Sequence, residues 1–433
     1  MTKYNRVRFA GFAIPTTPSS IVGIGDVDGP GAVAGTYPAL ADPTADIAAR
    51  LDVMASAVDA AFAKISEKKE DDVLNIFVAP EFYWHSDIGP YVFGEGEDDP
   101  ADTILGQLQE RFPTEKYPNT MFIFGTVISA QVDDLEVILN DPSVVERNKV
   151  VRALSEGWIN SVGAIQGALF DMLVNFVKLG HSYPQVEVRN RALIIGSELL
   201  QGVTGSLSTT TATTEKYYAS NEDFLLWDVT GKPVITEQIV AYPAIDLSGG
   251  DLKQKPEDSK AIFRVEGGPV VGVEICLDHS DHRLRRSSQL SPWPTAGEGV
   301  QLHLIPSCGM QLHPASVAAV AGGLAFNTDG LYALSNEDSG EVVKAEVGGV
   351  ASVHVDYVDG TNTTYGAHTQ LSRIVSGPKG ADSARAGAKN ATFEIPEVDV
   401  TVLPVAHTAE VESVFAGGPG AVHIYGLDEP LAI

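Results

Sequence analysis

The feature that most constrains this chain is the run Gly267-Gly268-Pro269-Val270-Val271-Gly272-Val273-Glu274-Ile275-Cys276-Leu277-Asp278-His279. Its β-branched, apolar middle reads as a buried strand. Past Cys276 the chain turns polar at once, through Asp278, His279, Ser280, Asp281, His282 and Arg283. A strand that ends so sharply sets its last side chains at the carboxyl edge of a sheet, where α/β folds gather reacting groups. A buried cysteine alone is ordinarily inert packing, so Cys276 needs a base before it reads as a nucleophile.

A second strand end supplies a candidate. Leu74-Asn75-Ile76-Phe77-Val78-Ala79 is an apolar run closed by Pro80, and Glu81 follows, then Phe82, Tyr83 and Trp84. A carboxylate held among apolar groups resists ionisation, so its pKa is expected to rise toward the range useful to a general base. The bland alternative is a surface glutamate at a strand end.

Pro80-Glu81-Phe82 and Gly272-Val273-Glu274-Ile275-Cys276-Leu277-Asp278 resemble two of the three signature blocks of the nitrilase superfamily of carbon–nitrogen hydrolases. Leu304-Ile305-Pro306-Ser307-Cys308 is similar to the family's next strand, where Pro-Ser-Ala is usual. The blocks stand in the family's order and cover the chain from about Val7 to Ser335. The resemblance implies an α/β fold, a four-layer αββα sandwich, with a Glu-Lys-Cys triad and no cofactor. It puts the catalytic lysine after a strand and turn, where Lys216 stands in Thr214-Glu215-Lys216-Tyr217-Tyr218. The wording there departs from the family's Lys-His-Leu, and Lys232 in Thr230-Gly231-Lys232-Pro233 is the rival, although it reads as a hairpin-turn lysine. Many relatives carry a further acid shortly after the lysine; Glu222 and Asp223 both lie there, with Asp223 favoured beside Phe224.

Along the chain, Arg6 to Ile14 reads as a first strand and Gly23 to Gly35 as a glycine-rich loop. That loop misses dinucleotide-binding spacing by one residue, precedes no immediate helix and carries acids where a phosphate would sit. Asp42 before Pro43 reads as a helix cap, with the helix running to about Lys68. Ile104 to Phe112 reads as a short helix, Thr120 to Ile128 as a strand, Val188 to Gly196 as a strand, and Thr204 to Thr214 as a Ser/Thr-rich loop. Between about 135 and 183, Val151, Leu154, Trp158, Ile165, Leu169, Met172 and Phe176 recur at helical spacing. This segment reads as a long helical insertion, packed on its own domain or capping the site. The expected organisation is one hydrolase domain over 1–433, with that insertion and a C-terminal extension at about 376–433. The stretch from Ser376 to Asn390 reads as a linker or exposed loop, with strands at Thr392 to Leu403 and Ala421 to Tyr425, and a tail that could cross to a partner subunit.

Composition narrows the function classes. With 57 acidic against 29 basic residues, the net charge of −28 argues against a nucleic-acid partner. No apolar run is long enough to span a bilayer, and Met1 to Val7 lacks the long apolar segment of a secretory leader. Two cysteines, Cys276 and Cys308, fit a reducing compartment. The expectation is a cytoplasmic protein acting on a small molecule, and kinship implies a homodimer or higher homo-oligomer.

The chemistry expected is nucleophilic. Cys276 attacks, Glu81 serves as base and then acid, and Lys216 with the Leu277 backbone N–H steadies the tetrahedral charge. Tyr83, Trp84 and His279 are expected around the substrate, although the two aromatics could equally cover the core. Asp278-His279-Ser280-Asp281-His282 matches no standard metal spacing, so no metal is expected. The leading reading is hydrolysis of an amide or carbamoyl C–N bond through a thioester. The alternatives are a nitrilase, an acyl transferase to an amine, or a catalytically degenerate binding protein.

Overall fold

The computed structural model describes residues 3–17, 19–24, 32–68, 70–87, 89–94, 96–132, 185–202, 208–216, 240–243, 261–280, 282–286, 299–331, 342–345, 348–358, 364–377 and 390–433. The expected insertion at about 135–183, and Glu222, Asp223 and Lys232, lie outside the described residues.

The elements run β1 (Arg6–Ala13), β2 (Ser19–Ile24), β3 (Ala32–Thr36), α1 (Pro43–Ile65), β4 (Val73–Ala79), β5 (Tyr91–Gly94), α2 (Pro100–Arg111), β6 (Thr120–Val132), β7 (Gln185–Gly202), β8 (Ser208–Glu215) and β9 (Val240–Pro243). They continue β10 (Ile262–Val265), β11 (Val270–Val273), β12 (Val300–Ser307), β13 (Ala319–Asp329), β14 (Val342–Ala345), β15 (Val350–Val358), β16 (Thr364–Ser376), β17 (Thr392–Glu394), β18 (Val400–Pro404), β19 (Ala421–Tyr425) and β20 (Leu431–Ala432). One- and two-turn helices at Leu277–Ser280, Arg283–Arg286 and Ala409–Val414 complete the chain.

Apart from the β2–β3 hairpin, the strands form one mixed sheet curled into a half-barrel. In its first half β18, β19, β1, β4 and β6 lie side by side, with β1–β4 and β4–β6 parallel. In its second half β10, β11, β12, β13, β16 and β15 follow, with β11–β12 and β12–β13 parallel. The 18-residue β7 joins them: it pairs antiparallel with β6 along much of its length and with β10 at Leu200–Gly202. Register breaks at Ile195/Leu200 against β8 and at Ile123/Thr126 against β6 let the ladder bend, as bulges do.

The curl brings the two halves face to face. Val7, Phe9, Ile76 and Val78 of the first half share one buried core with Leu302, Leu304, Phe326 and Leu371 of the second. The Phe9 and Phe326 rings stack 4.7 Å apart across it. On the outer side of the first half, α1 and Ala409–Val414 pack against the sheet through Val53, Met54, Val58, Val411 and Val414. Helix α1 begins as its sequence says: the Asp42 side chain accepts the Thr44 N–H at 3.0 Å and Pro43 occupies the first turn.

The αββα expectation is therefore corrected. Helix accounts for only 19% of the described residues, and the architecture is mostly β. Among the described residues, the strand–helix–strand alternation that suggested sandwich layers is confined to the chain up to β6. Downstream, among the described residues, the longest helix has six residues, and segments rich in Val and Thr extend the sheet instead, as β-branched side chains favour. Three local expectations change for the same reason. Part of the glycine-rich loop forms the β2–β3 hairpin, most of the Ser/Thr-rich loop is β8, and the tail pairs with β1 of its own chain through Arg6↔Ala432 and Val7↔Leu431. Among the described residues no helix is long and apolar enough to cross a membrane.

Candidate functional site

Glu81, Lys216 and Cys276 come together at the ends of strands from both halves of the sheet. The fully buried β4 stops at Ala79 because Pro80 has no N–H to give the ladder. Glu81 is then clamped through its backbone. Its N–H donates to Ser307 O at 3.3 Å, and its carbonyl accepts from Thr16 Oγ1 at 2.7 Å. Phe82 next to it has φ 56° and donates its N–H to Thr126 Oγ1 at 2.9 Å. The turn leaves the Glu81 side chain fully buried.

Lys216 follows directly on β8. Its N–H donates to Asn190 O at 2.8 Å, which extends the β7–β8 pairing by one residue. Its ammonium lies 2.9 Å from Glu81 Oε1, with both side chains out of water. The same ammonium sits over the Phe82 ring, 5.4 Å from the centroid. Asn190 Nδ2 donates to Glu81 Oε1 at 3.0 Å, giving that oxygen a second donor. Close by, Arg189 forks onto Glu215 at 3.0 and 2.7 Å, and Arg191 pairs with Asp99 at 2.5 Å.

Cys276 stands just past β11. Glu274 N and Cys276 N donate to Leu304 O and Pro306 O, continuing the parallel pairing with β12. Cys276 then adopts φ 42°, in the left-handed region that costs a side-chain-bearing residue on the order of 1–3 kcal/mol. This strained elbow turns the chain into Leu277–Ser280, closed by Asp278 N→Ile275 O at 3.0 Å and His279 N→Cys276 O at 2.8 Å. The thiol donates to Cys308 O at 3.6 Å and lies within the electrostatic reach of both Glu81 and Lys216. Burial pushes the thiol well above its ordinary value, and the Glu81 charge adds to this, while Lys216 pulls the other way. At neutral pH the group is therefore a thiol, and any nucleophilic role would need a nearby base to take its proton.

The strand ends are locked to one another by Asp329. Its carboxylate accepts from Ser307 Oγ (2.6 Å), Gly309 N, Met310 N (2.6 Å) and Leu331 N (2.7 Å). Ser307 O in turn accepts from Gly330 N and Glu81 N. The segment carrying Cys308 O is thereby fixed against the Cys276 thiol.

Tyr83, Trp84 and His279 are not where a substrate would meet them. Tyr83 and Trp84 are fully buried in the core beneath the first half of the sheet. Tyr83 Oη donates to Arg50 O at 2.9 Å, and Trp84 Nε1 donates to Phe124 O at 2.8 Å, so both polar handles are spent on packing. The cause is the turn at Phe82, after which the chain bridges to β6 at Val127 and carries the aromatics under the sheet. His279 is fully buried and has both ring nitrogens engaged, Nδ1 with Glu274 Oε2 at 2.8 Å and Nε2 with His313 N at 3.1 Å. Leu277 does sit beside the thiol, partly exposed at the start of the turn, and its N–H is not among the bonds that close that turn.

Glu274, His279 and His303 are the described residues whose spacing would suit a metal ion, since their ligand atoms lie within 4.8 Å of one another. The hydrogen bonds argue for a different role. His279 Nε2 accepts from His313 N and His303 Nδ1 accepts from Ala318 N (3.1 Å). In the neutral tautomers this requires, the protons sit on His279 Nδ1 and His303 Nε2, the atoms 2.8 and 3.0 Å from Glu274 Oε2. Burial alone would raise the Glu274 carboxyl, but these two imidazoles override it and hold the pKa at about 2. Glu274 Oε1 also accepts the Leu284 N–H at 2.5 Å. The cluster is a carboxylate anchor under the cysteine elbow, and the His279 ring proton, bonded to Glu274, sits where a metal would need a lone pair.

Asn190, Thr16 and Asp329 were missed by sequence reasoning. Asn190 left a trace: Arg189-Asn190-Arg191 is a polar triplet inside an otherwise apolar strand, where a buried polar group calls for partners. Thr16 and Asp329 left none. No protein-family model matches the chain, and no curated protein matches its sequence.

Proposed function

We propose that this protein is a cofactor-independent hydrolase of a small amide or carbamoyl C–N bond, working through a thioester on Cys276. The observation that carries the reading is the buried gathering of one thiol, one carboxylate and one ammonium, with Lys216 Nζ 2.9 Å from Glu81 Oε1 and both charges close enough to act on the thiol. The fold lends the nitrilase resemblance no support, so the reading rests on this side-chain geometry and on the ordered motifs.

In this mechanism Glu81 takes the Cys276 proton as sulfur attacks the carbonyl carbon. The tetrahedral oxyanion is steadied by Lys216 and the Leu277 N–H; one such donor is worth roughly 10²–10³ in rate. Glu81 returns the proton to the leaving nitrogen as the C–N bond breaks, leaving a thioester. It then deprotonates a water that attacks the thioester carbon, and the proton passes back to the departing thiolate. One carboxylate serves as base and acid in turn.

The two free cysteines suit a reducing cytoplasm, and a homo-oligomeric state belongs to the same reading. The test is mass spectrometry of the protein quenched during turnover of a panel of amides, carbamoyl amino acids and nitriles. The expected result is an acyl adduct on the Cys276 peptide, ammonia or amine release, and loss of both in Cys276→Ala. Adducts from nitriles alone would replace the amide reading with a nitrilase, and turnover surviving in Cys276→Ala would end the mechanism.

A further inference from the structure

Asn190 touches both charged members of the site at once. Its side-chain amide donates to Glu81 Oε1 at 3.0 Å, and its backbone carbonyl accepts the Lys216 N–H at 2.8 Å. It is buried on β7, held opposite Ile128 of β6, so its backbone position is set by the ladder. The amide must present its nitrogen to the carboxylate, because the reverse orientation would set oxygen against oxygen. Lys216 Nζ reaches the same Oε1 at 2.9 Å.

A carboxylate oxygen offers two lone-pair directions, and on Oε1 both are taken up by donors. We infer that Asn190 is a positioning residue: together with Lys216 it ties down Oε1, sets the plane of the carboxylate and assigns proton transfer to Oε2. This rests on the reading of Glu81 as the base for Cys276. Two roles follow from the single hydrogen bond. It holds the carboxylate in one orientation, and it favours the ionised form of Glu81, because a donor stabilises a carboxylate over its acid. Lys216 cannot do this alone: one contact fixes a distance, whereas two donors on one oxygen also fix the rotation of the carboxylate about its own axis.

The experiment reads Cys276 directly and needs no substrate. The rate of Cys276 alkylation by iodoacetamide is followed against pH in the intact protein, with the Cys276 and Cys308 peptides resolved by mass spectrometry. The wild-type profile is expected to show an acid limb that Glu81→Gln removes. Asn190→Leu keeps the branching at Cγ but removes the donor, and should move that limb up by about one pH unit, the scale of one hydrogen bond to a charged group. Asn190→Asp replaces the donor by an acceptor in the same shape and should move it further. A purely structural role would change the melting temperature and leave the limb in place. An unmoved limb in whichever of the two variants folds overturns the assignment of Asn190 while Glu81 keeps its role. A limb that survives Glu81→Gln removes the base assignment, and this inference with it.

Discussion

Replacing Glu274 by glutamine tests the anchor beneath the cysteine elbow. The side chain is buried, its carboxylate lies against two imidazole nitrogens, and it accepts the Leu284 N–H. Its pKa is about 2 in the fold against 4.5 as the ordinary value. At about 1.4 kcal/mol per pH unit, this difference contributes on the order of 3 kcal/mol at neutral pH. A depressed carboxyl pKa gives stability that is complete above 4.5 and lost as the pH falls toward 2. Glutamine keeps the shape but cannot ionise, and its NH₂ group would meet N–H donors. Glu274→Gln should therefore cost about 3 kcal/mol at pH 7, shrinking to about 1 kcal/mol by pH 3 as the wild type is itself protonated. His279 shifts in the same sense, since burial holds its pKa down and stability falls in both proteins below about pH 6.5, so variant and wild type are compared at each pH. Urea denaturation at pH 7, 5, 4 and 3 gives the difference directly. A cost that is the same at pH 7 and pH 3, or no cost at pH 7, would refute the view of Glu274 as an ionised anchor.

Two further substitutions probe the site and its frame. Lys216→Met leaves Glu81 buried without its cation, so it should lower stability by about 3–5 kcal/mol, and turnover by at least roughly 10²-fold; denaturant melts and ammonia-release assays read the two, and retained activity would move the oxyanion role elsewhere. Gly125 has φ +76°, and a Cβ built on it would lie 2.6 Å from Pro80 O. Gly125→Ala should therefore destabilise by more than about 1 kcal/mol and disturb the turn that carries Glu81; an unchanged melting temperature would show that the strand end can shift at no cost.

The two strand ends that carry Glu81 and Cys276 were legible because each rests on a local signal. Pro80 directly after an apolar run has no N–H to carry the ladder on, and a β-branched run breaking into Asp278 and His279 marks a strand end without reference to the rest of the fold. The Asp42-Pro43 cap was readable for the same reason. Tyr83 and Trp84 were misplaced because an aromatic run beside a buried acid has the same composition whether it lines a pocket or fills a core. Only the φ 56° turn at Phe82 and the bridge to Val127 decide which. His279 was misplaced because its partners, Glu274 and His313, come from a strand end and a distant loop.

The sequence by itself determined where strands stop, which helix is capped, and which thiol and which carboxylate stand at strand ends, because hydrophobic period, proline and capping chemistry act over a few residues. The tertiary structure alone decided that the layers are a curled sheet, that Lys216 lies against Glu81, and that Asn190 ties them together. Those facts depend on the register of β6, β7 and β8 and on the bends that bring two halves of a sheet face to face. Register between distant strands is set by the packing of the whole core, which no short window of sequence contains.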